Sequence, residues 1–178
     1  MDFKANRLYY ALSKKFKNMF LLRSAGYAAL LLLWIMINGI DELDIVIILG
    51  VFLLISFIVD IFLRPNKFEI IGDAVHLKLF IRIPAGAIRA KGQKYQTKRV
   101  NAKILNIDVI QYHASPFEES NRVGRIIIHG RVVARDFCED YVEAEHLPSY
   151  VDIYGVKDFE SAVSALKIAF PDATLQEL

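Results

Sequence analysis

The sequence predicts a membrane α-helical hairpin joined to an α+β soluble domain. The domain is expected to hold about seven antiparallel strands in a bent sheet or open barrel, capped by a C-terminal helix. Three observations predict this. Two apolar runs, residues 20–38 and 45–63, carry one charge each, Arg23 and Asp60. At 1.5 Å per residue each run covers roughly 27–29 Å, close to the thickness of a bilayer's hydrocarbon core. From residue 67 onward the pattern turns to alternation of apolar and polar residues, the mark of half-buried strands. Near the end, Phe159, Val163, Leu166 and Phe170 recur at helical spacing until Pro171 stops the pattern.

The helices of a soluble core rarely need so long an uninterrupted apolar face, which favours a pair of membrane spans over residues 20–63. The link between the runs is short and acidic, with Asp41, Glu42 and Asp44 and no Lys or Arg, so the two helices are expected to be antiparallel neighbours. Lys4, Arg7, Lys14, Lys15 and Lys17 precede the first run, and Arg64 and Lys67 follow the second. The positive-inside rule then predicts a multi-pass protein of the cell inner (plasma) membrane with both termini cytoplasmic. A cleavable signal peptide fits poorly, because the basic leader is long and a second span follows at once. Arg23 and Asp60 fall at similar depth near the cytoplasmic ends of their helices. They either pair across the hairpin or reach the headgroup region separately. Gly26, Ala28, Ala29 and Gly50 would permit close helix contact.

The leader, residues 1–19, places Ala5, Leu8, Leu12, Phe16 and Met19 at helical spacing among its lysines. It reads as an amphipathic helix on an anionic leaflet, the alternative being a disordered basic leader that only sets topology. With two spans adjoining it, lipid is a nearer partner than nucleic acid, which is not expected. Charge is unevenly spread in the rest of the chain. Residues 74–107 hold eight Lys or Arg and no acid, and residues 136–145 hold five acids and no base. Lys78, Arg82, Arg89, Lys91, Lys94, Lys98, Arg99 and Lys103 form that basic segment. With Lys14, Lys15 and Lys17 they are the candidates for contact with anionic lipid. The alternative is a solvated strand edge whose lysines block strand addition.

Within residues 64–178, Arg64-Pro65-Asn66 ends the second span. Residues 68–71 and 75–80 make a hairpin about Gly72-Asp73, and Pro84 and Gly86 mark a break beyond it. Residues 95–113 carry the longest strand pattern, with a bulge or break expected near Leu105-Asn106 where the alternation fails. Residues 114–122 read as a loop. Residues 125–129 and 131–137 read as partner strands turning at Gly130, residues 141–145 alternate weakly, and residues 150–154 form a last strand. Asp158 is the expected cap of the final helix.

Catalytic chemistry finds little support. Cys138 is the one cysteine, so no internal disulfide or cysteine zinc cluster can form, and no local motif activates it. His76, His113, His129 and His146 lack metal-ligand spacing, and Glu143-Ala144-Glu145-His146 reads as an acidic loop. The glycines of the domain are isolated, so no phosphate-binding loop is present. No catalytic residue, cofactor or metal site is expected, and the chain is not expected to be an enzyme.

Three segments carry a resemblance: Ile104-Leu105-Asn106-Ile107-Asp108-Val109-Ile110-Gln111, Gly124-Arg125-Ile126-Ile127-Ile128-His129-Gly130, and Val151-Asp152-Ile153-Tyr154-Gly155-Val156-Lys157-Asp158-Phe159. With the preceding apolar pair they resemble the bacterial pleckstrin-homology-like (PH-like) domain family of small membrane proteins. Arg125 departs from the pattern, standing where a small hydroxyl residue is expected, and the stretch 131–149 is long. The resemblance implies a PH-like fold over residues 64–170 and no catalytic residues. The expected function is a membrane-anchored interaction or scaffold module that binds a protein partner or a second copy. The alternatives are an accessory subunit of a transport or membrane-assembly system, or an anionic-lipid-binding module.

Overall fold

The computed structural model describes residues 1–38, 43–84, 95–135, 141–142 and 148–178. The chain forms two compact units, one made of Met1–Arg7 with Arg64–Leu178 and the other of Leu8–Leu63.

The second unit is helical. A 3-10 segment, Arg7–Leu12, leads to α1 (Lys14–Asn38), and α2 (Leu43–Phe62) follows. Ser13 starts α1, its hydroxyl accepting the Phe16 N–H at 3.1 Å and so satisfying one donor of the open first turn. At 1.5 Å per residue, α1 is about 37 Å long and α2 about 30 Å, and both are apolar enough to cross a membrane. The Phe57 ring lies 4.6 Å from that of Phe20 and 5.7 Å from that of Phe16. Arg23 Nη1 donates to Asp60 Oδ2 nearby. These contacts tie the first half of α1 to the last turns of α2. Elsewhere the apolar side chains stand open, with Met36 84 %, Leu22 76 % and Phe52 60 % exposed. A methyl group added at Gly26 or Gly50 would meet nothing, so close approach at these glycines is not what joins the helices.

The first unit is built on an eight-stranded sheet. Its strands are β1 (Asp2–Lys4), β2 (Lys67–Ile71), β3 (Ala74–Pro84), β4 (Tyr95–His113), β5 (Val123–Arg135), β6 (Tyr141–Val142), β7 (Tyr150–Lys157) and β8 (Thr174–Glu177). β1 to β6 pair in sequence order and antiparallel. β7 pairs antiparallel with the first half of β5, and β8 runs parallel to the second half of β4. An isolated bridge joins Ala5 to Val156, and the Asn6 N–H donates to the Gly155 carbonyl. The sheet therefore curls until the chain leaving β1 meets β7. On its concave side, Phe68, Val75, Leu77, Ile104, Ile110, Ile126, Ile128 and Ile153 form the core. α4 (Phe159–Ala169) closes that core with Ala162, Ala165 and Leu166, followed by Phe170.

Several expectations change. The leader is not one amphipathic helix: its first residues pair as β1 with β2, because Phe3 stacks on Phe68 at 5.2 Å and joins the core. The helix α4 is not the final element, since the short strand β8 follows it; Thr-Leu-Gln-Glu is too brief and polar to show a period. β8 also makes the sheet mixed rather than wholly antiparallel. Residues 114–122 contain a short helix, α3 (Pro116–Ser120), started by a capping box in which Ser115 and Glu118 satisfy each other's backbone N–H. Asp158 makes no side-chain cap. Its backbone is left-handed (φ 51°), and only its carbonyl is used, accepting from the Ala162 N–H. The acidic link at 39–42, Cys138 and Glu143–His146 lie outside the described residues.

The expected irregularity in the long strand is present. The β4–β5 register shifts between Leu105 and Val109, and Asn106 takes φ 48°, a conformation asparagine tolerates better than most residues. Gly130 does not turn the chain. It lies within β5, against this bulge, where a Cβ would sit 2.7 Å from the Leu105 carbonyl oxygen. Backbone cannot yield there as a side chain would. Gly130→Ala is therefore expected to cost about 1–3 kcal/mol of sheet stability, measured as a lowered denaturation midpoint of the full chain in detergent. At Gly124 a Cβ would sit 2.4 Å from the Phe159 ring, which would have to move.

Candidate functional site

Alternation along each strand divides the sheet into a core face and an outer face. Val75, Leu77 and Leu79 of β3 enter the core, so His76, Lys78 and Phe80 lie on the outer face. By the same parity Lys67 and Glu69 of β2, Asn101 and Lys103 of β4, and Arg131 of β5 share that face. Register sets Lys4 opposite Lys67, Asp2 opposite Glu69, His76 opposite Lys103, Lys78 opposite Asn101 and Leu105 opposite Arg131. Lys4, Lys67, Lys78, Lys103 and Arg131 thus share one face with Asp2 and Glu69.

A shallow depression of about 210 Å³ opens on this face between Lys67, Glu69, His76, Lys78 and Asn101. Lys67 Nζ donates to Glu69 Oε1 at 2.8 Å. That bond holds the Lys67 ammonium above the usual lysine range and the Glu69 carboxyl below the usual carboxylate range. Both groups are exposed, so the pair adds little to stability. Burial, and then the neighbouring Lys103 charge, keep His76 below the ordinary histidine value.

The expected lipid-contact residues are only partly gathered. Lys14, Lys15 and Lys17 are exposed in the first turns of α1, in the other unit. Lys78 belongs to the outer face. Arg82 pairs in register with Thr97, Arg99 with Phe80 and Lys98 with Ile81. Arg89, Lys91 and Lys94 lie outside the described residues. Sequence reasoning missed Lys4, Lys67 and Arg131 as members of this face. Lys4 was hidden in a segment with a helical period, and the others lie outside the basic run.

Two further clusters lie in the same unit. Arg125 grips Asp152 with both arms, Nε to Oδ1 at 2.8 Å and Nη2 to Oδ2 at 2.7 Å. The Tyr154 hydroxyl donates to Asp152 Oδ2 at 2.7 Å, and the Arg125 guanidinium lies 4.9 Å from the Tyr154 ring centre. Asp152 is only 6 % exposed, and a buried carboxylate needs such bonds. Burial first, and then the Asp152 charge, push the Tyr154 hydroxyl far above the usual tyrosine value, and the Asp152 bond raises Arg125. The donors and acceptors satisfy one another, which makes this cluster a fastening between β5 and β7. Arg125 is the base that the buried Asp152 carboxylate requires.

The other cluster is a cleft of about 580 Å³ beside the start of α4, walled by Tyr112 and Phe159 and rimmed by Arg122, Asp158 and Glu177. Arg122 and Asp158 both hold left-handed backbone, φ 53° and 51°. Among the described residues no three His, Cys, Asp or Glu side chains gather as a metal site.

No family model, no curated protein and no solved structure matches this chain.

Two outcomes follow from the Arg125–Asp152–Tyr154 geometry. Asp152→Asn leaves Arg125 without its counter-charge and is expected to cost about 2–4 kcal/mol, measured by chemical denaturation. The second concerns alkaline pH. Unfolded, tyrosine releases its proton near pH 10, whereas folded Tyr154 keeps it. Above that pH the unfolded chain binds fewer protons, so stability falls as pH rises, and it is undiminished below it. Tyr154→Phe should flatten this decline when denaturation midpoints are compared between about pH 9 and pH 11.

Proposed function

We propose that this chain is a membrane-anchored, non-catalytic interaction or scaffold module: two spans holding a PH-like domain at the cytoplasmic face of the inner membrane. The observation that carries the reading is the β1–β2 ladder. β1 precedes the two apolar helices in sequence and β2 follows them, yet the two strands are hydrogen-bonded neighbours. If α1 and α2 both cross, the chain returns to the side it left and the ladder can form. With one crossing the two strands would lie on opposite sides and could not pair.

The open apolar surfaces support the same reading. None of the residues in the most apolar stretch of α1 is buried, and almost none in α2, which is unlike the core helix of a soluble protein. The basic flanks Lys14, Lys15, Lys17, Arg64 and Lys67 favour the cytoplasm for the domain. A domain anchored in this way meets a membrane partner or a second copy at raised effective concentration, so modest contacts suffice. The reading as a transport subunit has less support, because Asp60 is already engaged by Arg23 rather than open to an ion.

The test is fractionation combined with reporters fused at each end. The chain is expected to remain in the membrane through alkaline carbonate washing, with both reporters cytoplasmic. Release by carbonate, or a reporter on the far side at either end, would refute the anchoring. Cross-linking in native membranes should then capture a stable partner or an oligomer.

A further inference from the structure

We propose that the outer face of β1 to β5 docks on the anionic headgroups of the bilayer that the chain's own helices cross, with a lipid phosphate seated between Lys67, His76, Lys78 and Asn101. This rests on the anchoring read above and names what the anchored domain touches.

The first argument is charge. Lys4, Lys67, Lys78, Lys103 and Arg131 come from five strands, and only the paired sheet brings them to one side. Lys67 and Glu69 pair with each other, so that pair adds no net charge to the face. Lys4 and Lys78 stand exposed to meet a surface. Each cation beside an anionic leaflet favours the bound state by roughly fivefold.

The second argument is reach. Only residues 63–66 separate the end of α2 from the start of β2. Fully extended, they span about 14 Å, so the chain itself keeps Lys67 near the headgroup layer. A face so tethered pays little entropy to settle on that layer. The third argument is shape: the depression of about 210 Å³ is shallow and lined by the Lys67 and Lys78 ammonium groups, the Asn101 amide and the His76 imidazole, together with Leu77, Ala102 and the Glu69 carboxylate that Lys67 holds. The ammonium and amide groups are donors suited to the oxygens of a phosphodiester.

The experiment uses the full chain in nanodiscs of neutral phosphatidylcholine, and in discs that also contain phosphatidylglycerol. Lysine acetylation rates are read residue by residue, and carbonate resistance of the same chain in liposomes of each composition reports insertion separately. Lys67 and Lys78 are expected to react roughly fivefold more slowly in the anionic discs, with the protection lost in high salt. Lys157 and Lys167, exposed on β7 and α4 and outside the basic face, should react equally in both. Lys78→Glu should abolish the protection of Lys67 without changing insertion. Equal rates in the two discs, with the chain inserted in both, would overturn the docking while leaving the anchor intact. The same protection on neutral discs with added inorganic phosphate would also overturn it, by showing a site for soluble phosphate. Failure to insert in either lipid would overturn the anchoring itself.

Discussion

The structure depends on a ladder closed across a long detour. The Met1 ammonium donates to the Ile70 carbonyl at 3.0 Å, and the Ile70 N–H donates to the Met1 carbonyl at 2.8 Å. Residues 69 apart in sequence thus exchange both bonds of an antiparallel pair. The entropy of closing such a loop grows only with the logarithm of its length. Here the loop is itself a compact helical unit, so the detour costs less than a floppy one of that length. The two helices are in effect an insertion between adjacent strands of one sheet.

That arrangement gives the first few residues several duties. Phe3 stacks on Phe68 and extends the core, Asp2 and Lys4 complete the outer face, and Ala5 and Asn6 bond to β7. A terminal segment usually frays unless it is tied down. This one is tied on both edges, by β2 and by Gly155 and Val156 of β7.

The sheet is bent by paired devices. Asn106 bulges β4, and Gly130 leaves room for the displaced Leu105 carbonyl. Past the bulge, β3 no longer accompanies β4, and β8 takes the vacant edge in parallel. Gly124 gives way for the Phe159 ring in the same manner, allowing the start of α4 to lie close to β5. On the opposite face, the Arg125–Asp152–Tyr154 cluster fastens β7 to β5 at the cost of burying a charge. Bidentate pairing makes that burial tolerable and fixes the register of the two strands.

Local sequence determined what depends on near neighbours. Unbroken apolar runs can only be long helices with exposed grease, so α1 and α2 were legible from residues alone. So were β2 to β4, the bulge near Asn106 and the apolar stripe of α4, because each expresses a period or its failure within a few residues. The tertiary structure decided whatever depends on distant partners. β1 looked helical because three residues carry no period of their own; they become a strand only when β2 offers its edge. β8 is likewise a strand by virtue of β4. The basic face and the Arg125–Asp152–Tyr154 fastening exist only once strands remote in sequence are in register. Charge and hydrogen bonding act through space, and a chain read in order does not show which of its side chains will share it.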